Sequence, residues 1–179
     1  MTQPQKLNVF IIGNDVASWE LYSTFISVEP TRETPWATAL RDFQVQKGES
    51  NTLTIEVDSI GGLFDCELLA FNRSKVSRAY VITFLFSSRP SFELAGKFSD
   101  TIADLGDTKC PIVLMGILEQ DATTQVMENE ASKLAAALGG QFILVHARPV
   151  HAGGIQEVQA MEIFTALAKR HINGRRSRL

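Results

Sequence analysis

The chain has 179 residues, of which 45% are hydrophobic, 21% charged and 8% aromatic, and this composition is typical of one folded domain rather than of a disordered chain. Seventeen Lys and Arg against 20 Asp and Glu give a net charge of −3, which excludes a basic surface for general nucleic-acid binding. The apolar runs are far shorter than the ~20 residues of a membrane-spanning helix and the start lacks a signal-peptide pattern, so we expect a cytoplasmic protein with no membrane span.

Cysteine and histidine do not predict a disulfide framework or a metal centre. Cys66 and Cys110 have no second Cys or His at zinc-ligand spacing, so we expect both thiols to be reduced and Cys110 to be buried. The three histidines are scattered, with no carboxylate or cysteine at ligand spacing. No Ser, His, Asp set stands out either. We therefore predict no metal and no catalytic residue.

The first half of the chain predicts a strand, a helix and a hairpin. Residues 9–12, within the run 7–12 that ends at Gly13, form a continuous apolar stretch, as in a strand that is buried on both faces. A helix follows, because apolar residues recur at intervals of three and four at Trp19, Tyr22, Phe25 and Ile26. Residues 29–35 hold two prolines and read as a loop. Two alternating runs around Phe43 and Ile55 then predict an antiparallel hairpin.

The second half alternates strands with helices. Three apolar runs are predicted strands, at residues 80–86, 112–116 and 142–145. A helix between the first two has Ser91 as its N-cap and Gly106 as its C-terminal stop. A second helix contains Val126 and closes at Gly139, and a last helix begins near Ile155.

This order predicts an α/β fold with three layers. We expect a six-stranded, mainly parallel sheet with one antiparallel edge strand and with helices on both faces. The domain is expected to cover residues 6–172, between an N-terminal tail at 1–5 and a basic tail at 173–179. Ligands of such sheets bind at the carboxyl ends of the strands.

The first of these strand ends lacks most of a phosphate-binding loop. Such loops have the form GxxxxGK[ST], and only Gly13 fits, because Ser18, Trp19 and Glu20 stand where the second Gly, the Lys and the hydroxyl residue belong. Asp15 and Glu20 place negative charge where a phosphate would sit. Trp19 either belongs to the core, on the apolar side of the helix, or fills the empty phosphate position with its indole, beside the Glu20 carboxylate.

Position, spacing and neighbouring motifs together resemble the small GTPases of the Ras superfamily, which implies a P-loop NTPase-like fold. Asp58 would match the family's aspartate near the magnesium and Gly61 the glycine that contacts the terminal phosphate, while Gly62 stands where the water-positioning glutamine usually lies. Asp58 has a structural alternative, since an Asp after a strand commonly caps the next turn, and Gly13 and Gly61 are alternatively plain turn glycines. The switch threonine would be Thr31, Thr34 or Thr38.

The guanine-reading elements of that family are also altered. The strand that ends at Gly116 looks like the one that leads into the NKxD motif, but Ile117 and Leu118 replace the Asn and Lys. Gln120 replaces the aspartate that pairs with two guanine N–H groups, and an amide offers one acceptor beside a competing donor. In the family's SA[K] loop only Ala147 matches, so we expect guanine selectivity to be lost.

These replacements predict a pseudo-GTPase: the fold of a switch protein with its nucleotide site disabled, no bound cofactor, and no GTP hydrolysis. Such a protein would act as an interaction module or complex subunit, for example an adaptor in trafficking or signalling. One alternative is an atypical small GTPase with slow hydrolysis, in which Arg32, Lys75 or Arg148 replaces the missing lysine. Another is an α/β domain of other ancestry that binds a small molecule in the same crevice.

The resemblance also implies where protein partners bind. Ras-like domains contact partners through the loop before the hairpin, the hairpin edge and the helix after the DxxG element, and an exposed edge strand can accept a partner strand. The candidate contact residues are Trp36, Phe43, Leu63 and Phe64. Trp36 either meets a partner or pins its own loop. We expect no lipid anchor, because the chain has neither a C-terminal cysteine nor an N-terminal MG.

Overall fold

The computed structural model describes residues 5–27, 32–33, 38–44, 52–59, 77–104, 109–147 and 155–176. These residues form seven strands and four helices. The strands are β1 (Gln5–Gly13), β2 (Arg32–Glu33), β3 (Thr38–Gln44), β4 (Thr52–Ser59), β5 (Ser77–Leu85), β6 (Ile112–Glu119) and β7 (Gln141–Ala147). The helices are α1 (Asp15–Ser27), α2 (Arg89–Asp104), α3 (Glu128–Ala137) and α4 (Glu157–Arg176).

All seven strands form one sheet in the order β2-β3-β4-β1-β5-β6-β7. The last five strands of that order are parallel, whereas β3 is antiparallel to β4 and β2 is antiparallel to β3. The predicted α/β class with a mainly parallel sheet is confirmed. The predicted strand count is wrong, because Arg32 and Glu33 pair with Leu40 and Ala39 outside the hairpin. The edge strand is therefore β2, within the segment expected to be a loop, and not β3.

The sheet separates two hydrophobic cores, which explains why its central strands are apolar at consecutive positions. Because neighbouring side chains of a strand point to opposite faces, Val9 and Ile11 join one core and Phe10 and Ile12 the other. Residues of α1 and α4 complete the first core, where the rings of Phe25 and Phe164 lie 4.5 Å apart. Residues of α2 and α3 complete the second core. Both faces of the sheet are thus covered by helices.

The N-terminus of α2 differs from the prediction by one turn. Ser91 is the third residue of the helix and not its N-cap, and its backbone N–H donates to the side-chain oxygen of Ser88 at 3.3 Å. Ser88 is therefore the residue in the N-cap position. The buried Ser91 hydroxyl instead donates to the Ser88 carbonyl and accepts from the Leu85 N–H at 3.0 Å. The predicted stop at Gly106 lies outside the described residues.

The C-terminus of α3 follows the prediction. Gly139 has a φ of +63°, the left-handed conformation that ends many helices, so its role as the stop is confirmed. The N–H groups of Gly139 and Gly140 donate to Ala136 and Ala135 at 3.0 and 2.8 Å, as in a Schellman motif. Val126, which was expected within the helix, precedes its first residue and packs in the second core.

Two expectations about single residues are corrected. Trp19 is 62% exposed, because the side of α1 that packs on the sheet carries Ala17, Leu21 and Phe25 at intervals of four, and Trp19 lies on the other side. Cys110 is half-buried rather than buried, while Cys66 lies outside the described residues. No helix of the described part is long and apolar enough to cross a membrane.

Candidate functional site

The connection between β1 and α1, here called the β1–α1 turn, consists of Asn14 alone, because β1 ends at Gly13 and α1 begins at Asp15. Gly13 has a φ of +123°, and a Cβ atom there would lie 2.3 Å from the carbonyl oxygen of Thr83. Only glycine tolerates both the backbone conformation and this approach. The close packing of β1 against β5 is therefore sufficient to explain Gly13.

Asn14 accepts hydrogen bonds from two backbone N–H groups in the first turn of α1. Its side-chain oxygen accepts from the Ala17 N–H at 3.1 Å, and its carbonyl accepts from the Ser18 N–H at 2.8 Å. Its own N–H donates to the Thr83 carbonyl at 3.1 Å. In a phosphate-binding loop, N–H groups at this place face the anion instead. Here the N–H groups of Asn14, Ala17 and Ser18 all have protein acceptors.

Ser18, which stands in the position of the second loop glycine, is a buried structural residue. Its hydroxyl lies 2.9 Å from the hydroxyl of Thr83, and the Thr83 hydroxyl also donates to the Ile12 carbonyl at 3.2 Å. Both side chains are completely buried. Sequence reasoning did not assign Thr83 to the site, although a threonine that interrupts an otherwise apolar strand is a signal of such a contact.

The carboxyl ends of the strands next to the β1–α1 turn carry negative charge. Glu20 is half-buried, and its pKa is raised because burial removes water from the carboxylate and because Glu119 adds a like charge nearby. Glu119, the last residue of β6, accepts a hydrogen bond from the Ser87 hydroxyl. The Trp19 indole packs against the ring of Tyr22, with 5.9 Å between the ring centroids. Because Trp19 is otherwise mostly exposed, its indole does not fill a closed pocket at these strand ends. These carboxylates oppose the binding of a phosphate.

A second part of the site lies at the ends of β6 and β7. A cavity of about 460 Å³ opens there, and it brings together the predicted positions Gln120 and Ala147. Ala147 is largely buried and belongs to the first core, so the side chains that could contact a ligand come from other residues. The complete lining is Leu118, Glu119, Gln120, Asp121, His146, Ala147 and Gln156. Sequence reasoning missed Glu119, which stands at the variable position of the NKxD stretch, and Gln156, which belongs to no motif.

The remaining predicted site residues divide into two groups. The first group lies in described strands. Asp58 is the second-last residue of β4 and pairs in backbone register with Thr38 of β3 and Phe10 of β1. Phe43 of β3 pairs in the same way with Leu53 of β4. The positions that fall outside the described residues are Thr31, Thr34, Trp36, Gly61, Gly62, Leu63, Phe64, Lys75 and Arg148. Among the described residues, no group of three or more His, Cys, Asp or Glu side chains could hold a metal ion.

Comparison with known proteins does not assign the chain to a family, so residues and geometry are the basis for inferring its function. No protein-family model matches the chain, and no curated protein matches it.

Proposed function

We propose that this protein is a pseudo-GTPase of the Ras-like fold that acts as a protein–protein interaction module and neither binds nor hydrolyses GTP. The order of the sheet supports the fold part of this proposal, because β1 lies centrally between β4 and β5 and the hairpin strand β3 lies outside β4. The parallel strands and their helices are consistent with a switch-protein ancestry.

The observation that carries the proposal is the length of the β1–α1 turn. A phosphate-binding loop needs several residues between strand and helix, so that successive backbone N–H groups can surround the anion. Here Asn14 is the single connecting residue, and its side chain accepts the Ala17 N–H at 3.1 Å. A triphosphate would therefore find no glycine-rich loop and fewer free donors.

The charges around the turn also weaken phosphate binding. A lysine in such a loop contributes charge-assisted hydrogen bonds to phosphate, each worth ~1.5–3 kcal/mol, and Trp19 replaces it here. Glu20 on α1 and Glu119 at the end of β6 add two carboxylates near the turn. Because each ~1.4 kcal/mol changes a dissociation constant tenfold, the loss of these contacts lowers nucleotide affinity by orders of magnitude.

The direct test is to look for nucleotide in the purified protein. Denatured protein is assayed for released GDP and GTP, and thermal melts are repeated with magnesium and millimolar nucleotide. A ligand at a hundredfold excess over its dissociation constant would add ~2.7 kcal/mol of stability. We expect no released nucleotide and no shift in Tm. Stoichiometric guanine nucleotide, or a clear shift, would contradict the proposal and favour an atypical small GTPase.

A double variant separates the two proposed causes of lost nucleotide binding, which are the short β1–α1 turn and the missing lysine charge. Trp19→Lys with Glu20→Ser restores the charge and hydroxyl of the phosphate-binding motif at exposed or half-exposed positions of α1. Because the turn itself remains one residue long, we expect this variant still to show no nucleotide-dependent shift in Tm. A shift that appears in the double variant would mean that side-chain charge, and not the length of the turn, disables the site.

A further inference from the structure

Exposed large hydrophobic residues are confined to one end of the described part of the protein. In a parallel α/β sheet, helices begin at the carboxyl ends of the strands. We call this end of the sheet, with the first two turns of α1 and the first turn of α2, α3 and α4, the carboxyl face. The four exposed large hydrophobic residues of the described part all lie there: Val16 (55% exposed), Trp19 (62%), Met127 (68%) and Val158 (77%).

Two adjoining cavities open on this face, and one of them is lined by the exposed Met127. The first cavity has a volume of about 390 Å³ and mainly apolar walls. The cavity of about 460 Å³ at the ends of β6 and β7 is more polar, and Leu118 belongs to the walls of both. The apolar walls of the first are Phe86, Leu118, Val126, Met127 and Leu144. An apolar groove thus continues directly into a polar one.

The polar groove and its surroundings are acidic. Glu119 and Asp121 line the groove, and Glu157 follows its lining residue Gln156 at the start of α4. Asp15 and Glu128 open α1 and α3 on the same face. Lys and Arg are scarce in the first turns of the described helices and at the last residues of the described parallel strands. These positions contain one such residue, at the start of α2. That residue, Arg89, already contacts Glu130 at 2.8 Å.

We propose that the carboxyl face docks a protein segment that combines an apolar anchor with Lys or Arg side chains. The anchor enters the apolar groove lined by Met127, and the cations lie over Glu119 and Asp121. Complementary charge selects this occupant, since phosphate-bearing partners such as nucleic acids and anionic membranes are repelled by the same carboxylates. This inference rests on the proposed role as an interaction module and supplies the surface and the partner chemistry.

The experiment uses peptide probes on the full chain. A fluorescent peptide of about twelve residues that alternates Leu with Lys and Arg reproduces the proposed chemistry. One matched peptide replaces every cation with Glu, and another replaces every Leu with Ser. We expect saturable binding of the first peptide alone, weakened by added salt, with amide NMR shifts confined to the carboxyl face. Binding of all three peptides, or of none, would overturn the inference.

Charge variants provide a second measurement with a matched control. Glu119→Gln with Asp121→Asn removes two charges from the groove, and we expect peptide affinity to fall about tenfold. The control, Asp100→Asn with Glu162→Gln, removes the same charge from exposed positions within α2 and α4. It should leave affinity unchanged. Equal losses in both variants would mean attraction by net charge alone and would overturn a specific site.

Two further outcomes separate this inference from the proposed function. Concentration-dependent self-association in sedimentation, abolished by Met127→Ser, would make a second copy of this chain the occupant and overturn the partner proposed here. Recovery of nucleotide-loaded protein would contradict the pseudo-GTPase proposal whatever the peptides do. Peptide shifts on β3 rather than on the carboxyl face would overturn this docking site while leaving the interaction module intact.

Discussion

Gly13 occupies a position that any side chain would strain. Its φ of +123° disfavours other residues, and an added Cβ would lie 2.3 Å from the Thr83 carbonyl oxygen. We expect Gly13→Ala to destabilise the protein by more than about 2 kcal/mol, measured as a shift of the urea midpoint. The control is Gly96→Ala, where a Cβ on α2 meets nothing within 4 Å. That variant should stabilise by about 0.5–1 kcal/mol, and equal midpoints for both variants would contradict the strain at Gly13.

Glu20 makes stability depend on pH. Its pKa is raised in the folded protein by burial and by Glu119, so the folded state holds this proton more tightly than the unfolded state does. The contribution of Glu20 to the free energy of unfolding is therefore largest below the pKa that Glu20 has in the unfolded chain. It falls as the pH rises from that pKa to the higher pKa of the folded state, and it stays at the lower value above the folded-state pKa. Glu20→Gln cannot titrate and avoids that loss.

The expected result for Glu20→Gln is a gain in stability over the parent protein that grows between pH 4 and pH 7, because the parent loses stability as its buried carboxylate becomes charged beside Glu119. Urea unfolding at the two pH values measures the difference. Glu162→Gln, an exposed position on α4, serves as the control and should change stability little at either pH. A destabilised Glu20→Gln near pH 7 would mean that the charged carboxylate makes a favourable contact.

At the scale of single elements, α1 depends on its cap. Asn14 accepts the Ala17 N–H at 3.1 Å, so Asn14→Ala should cost about 1 kcal/mol of stability. Asn14→Ser keeps a capping oxygen and should cost much less, which makes the pair a matched comparison in chemical denaturation. If both variants lose the same stability, the Asn14 contribution lies in its other contacts and not in the cap.

The spacing of apolar residues in the sequence predicted the long strands and helices, but it did not predict short strands or polar helix ends. The runs that became β1, β5 and β6 are apolar at consecutive positions because both faces of those strands are buried. The strand β2 has two charged residues and no pattern, and its position depends on backbone pairing with β3. The start of α2 was misplaced because Ser88 and Ser91 stand three residues apart and both suit an N-cap.

At the scale of the whole molecule, the location of the site could be predicted but not its composition. A parallel sheet brings strand ends together, so Gln120 and Ala147 were expected at one edge and share a cavity. The contact of Ser18 with Thr83 joins residues 65 positions apart and has no local signature. Likewise, Trp19 follows the apolar spacing of α1 yet is exposed, because several apolar residues compete for one side of the helix and the sheet selects among them.

The two cores should unfold together, because β1 and β5 contribute side chains to both. Ile163 on α4 and Ile102 on α2 are buried in opposite cores, so Ile163→Val and Ile102→Val form a matched pair. Each change removes one methylene and should cost about 0.5–1.5 kcal/mol, and the double variant should lose the sum because the sites share no contacts across the sheet. Urea transitions followed by far-UV circular dichroism and by tryptophan fluorescence should coincide in all three variants. Separate transitions, with each substitution moving only one of them, would mean that the layers on the two faces of the sheet unfold independently.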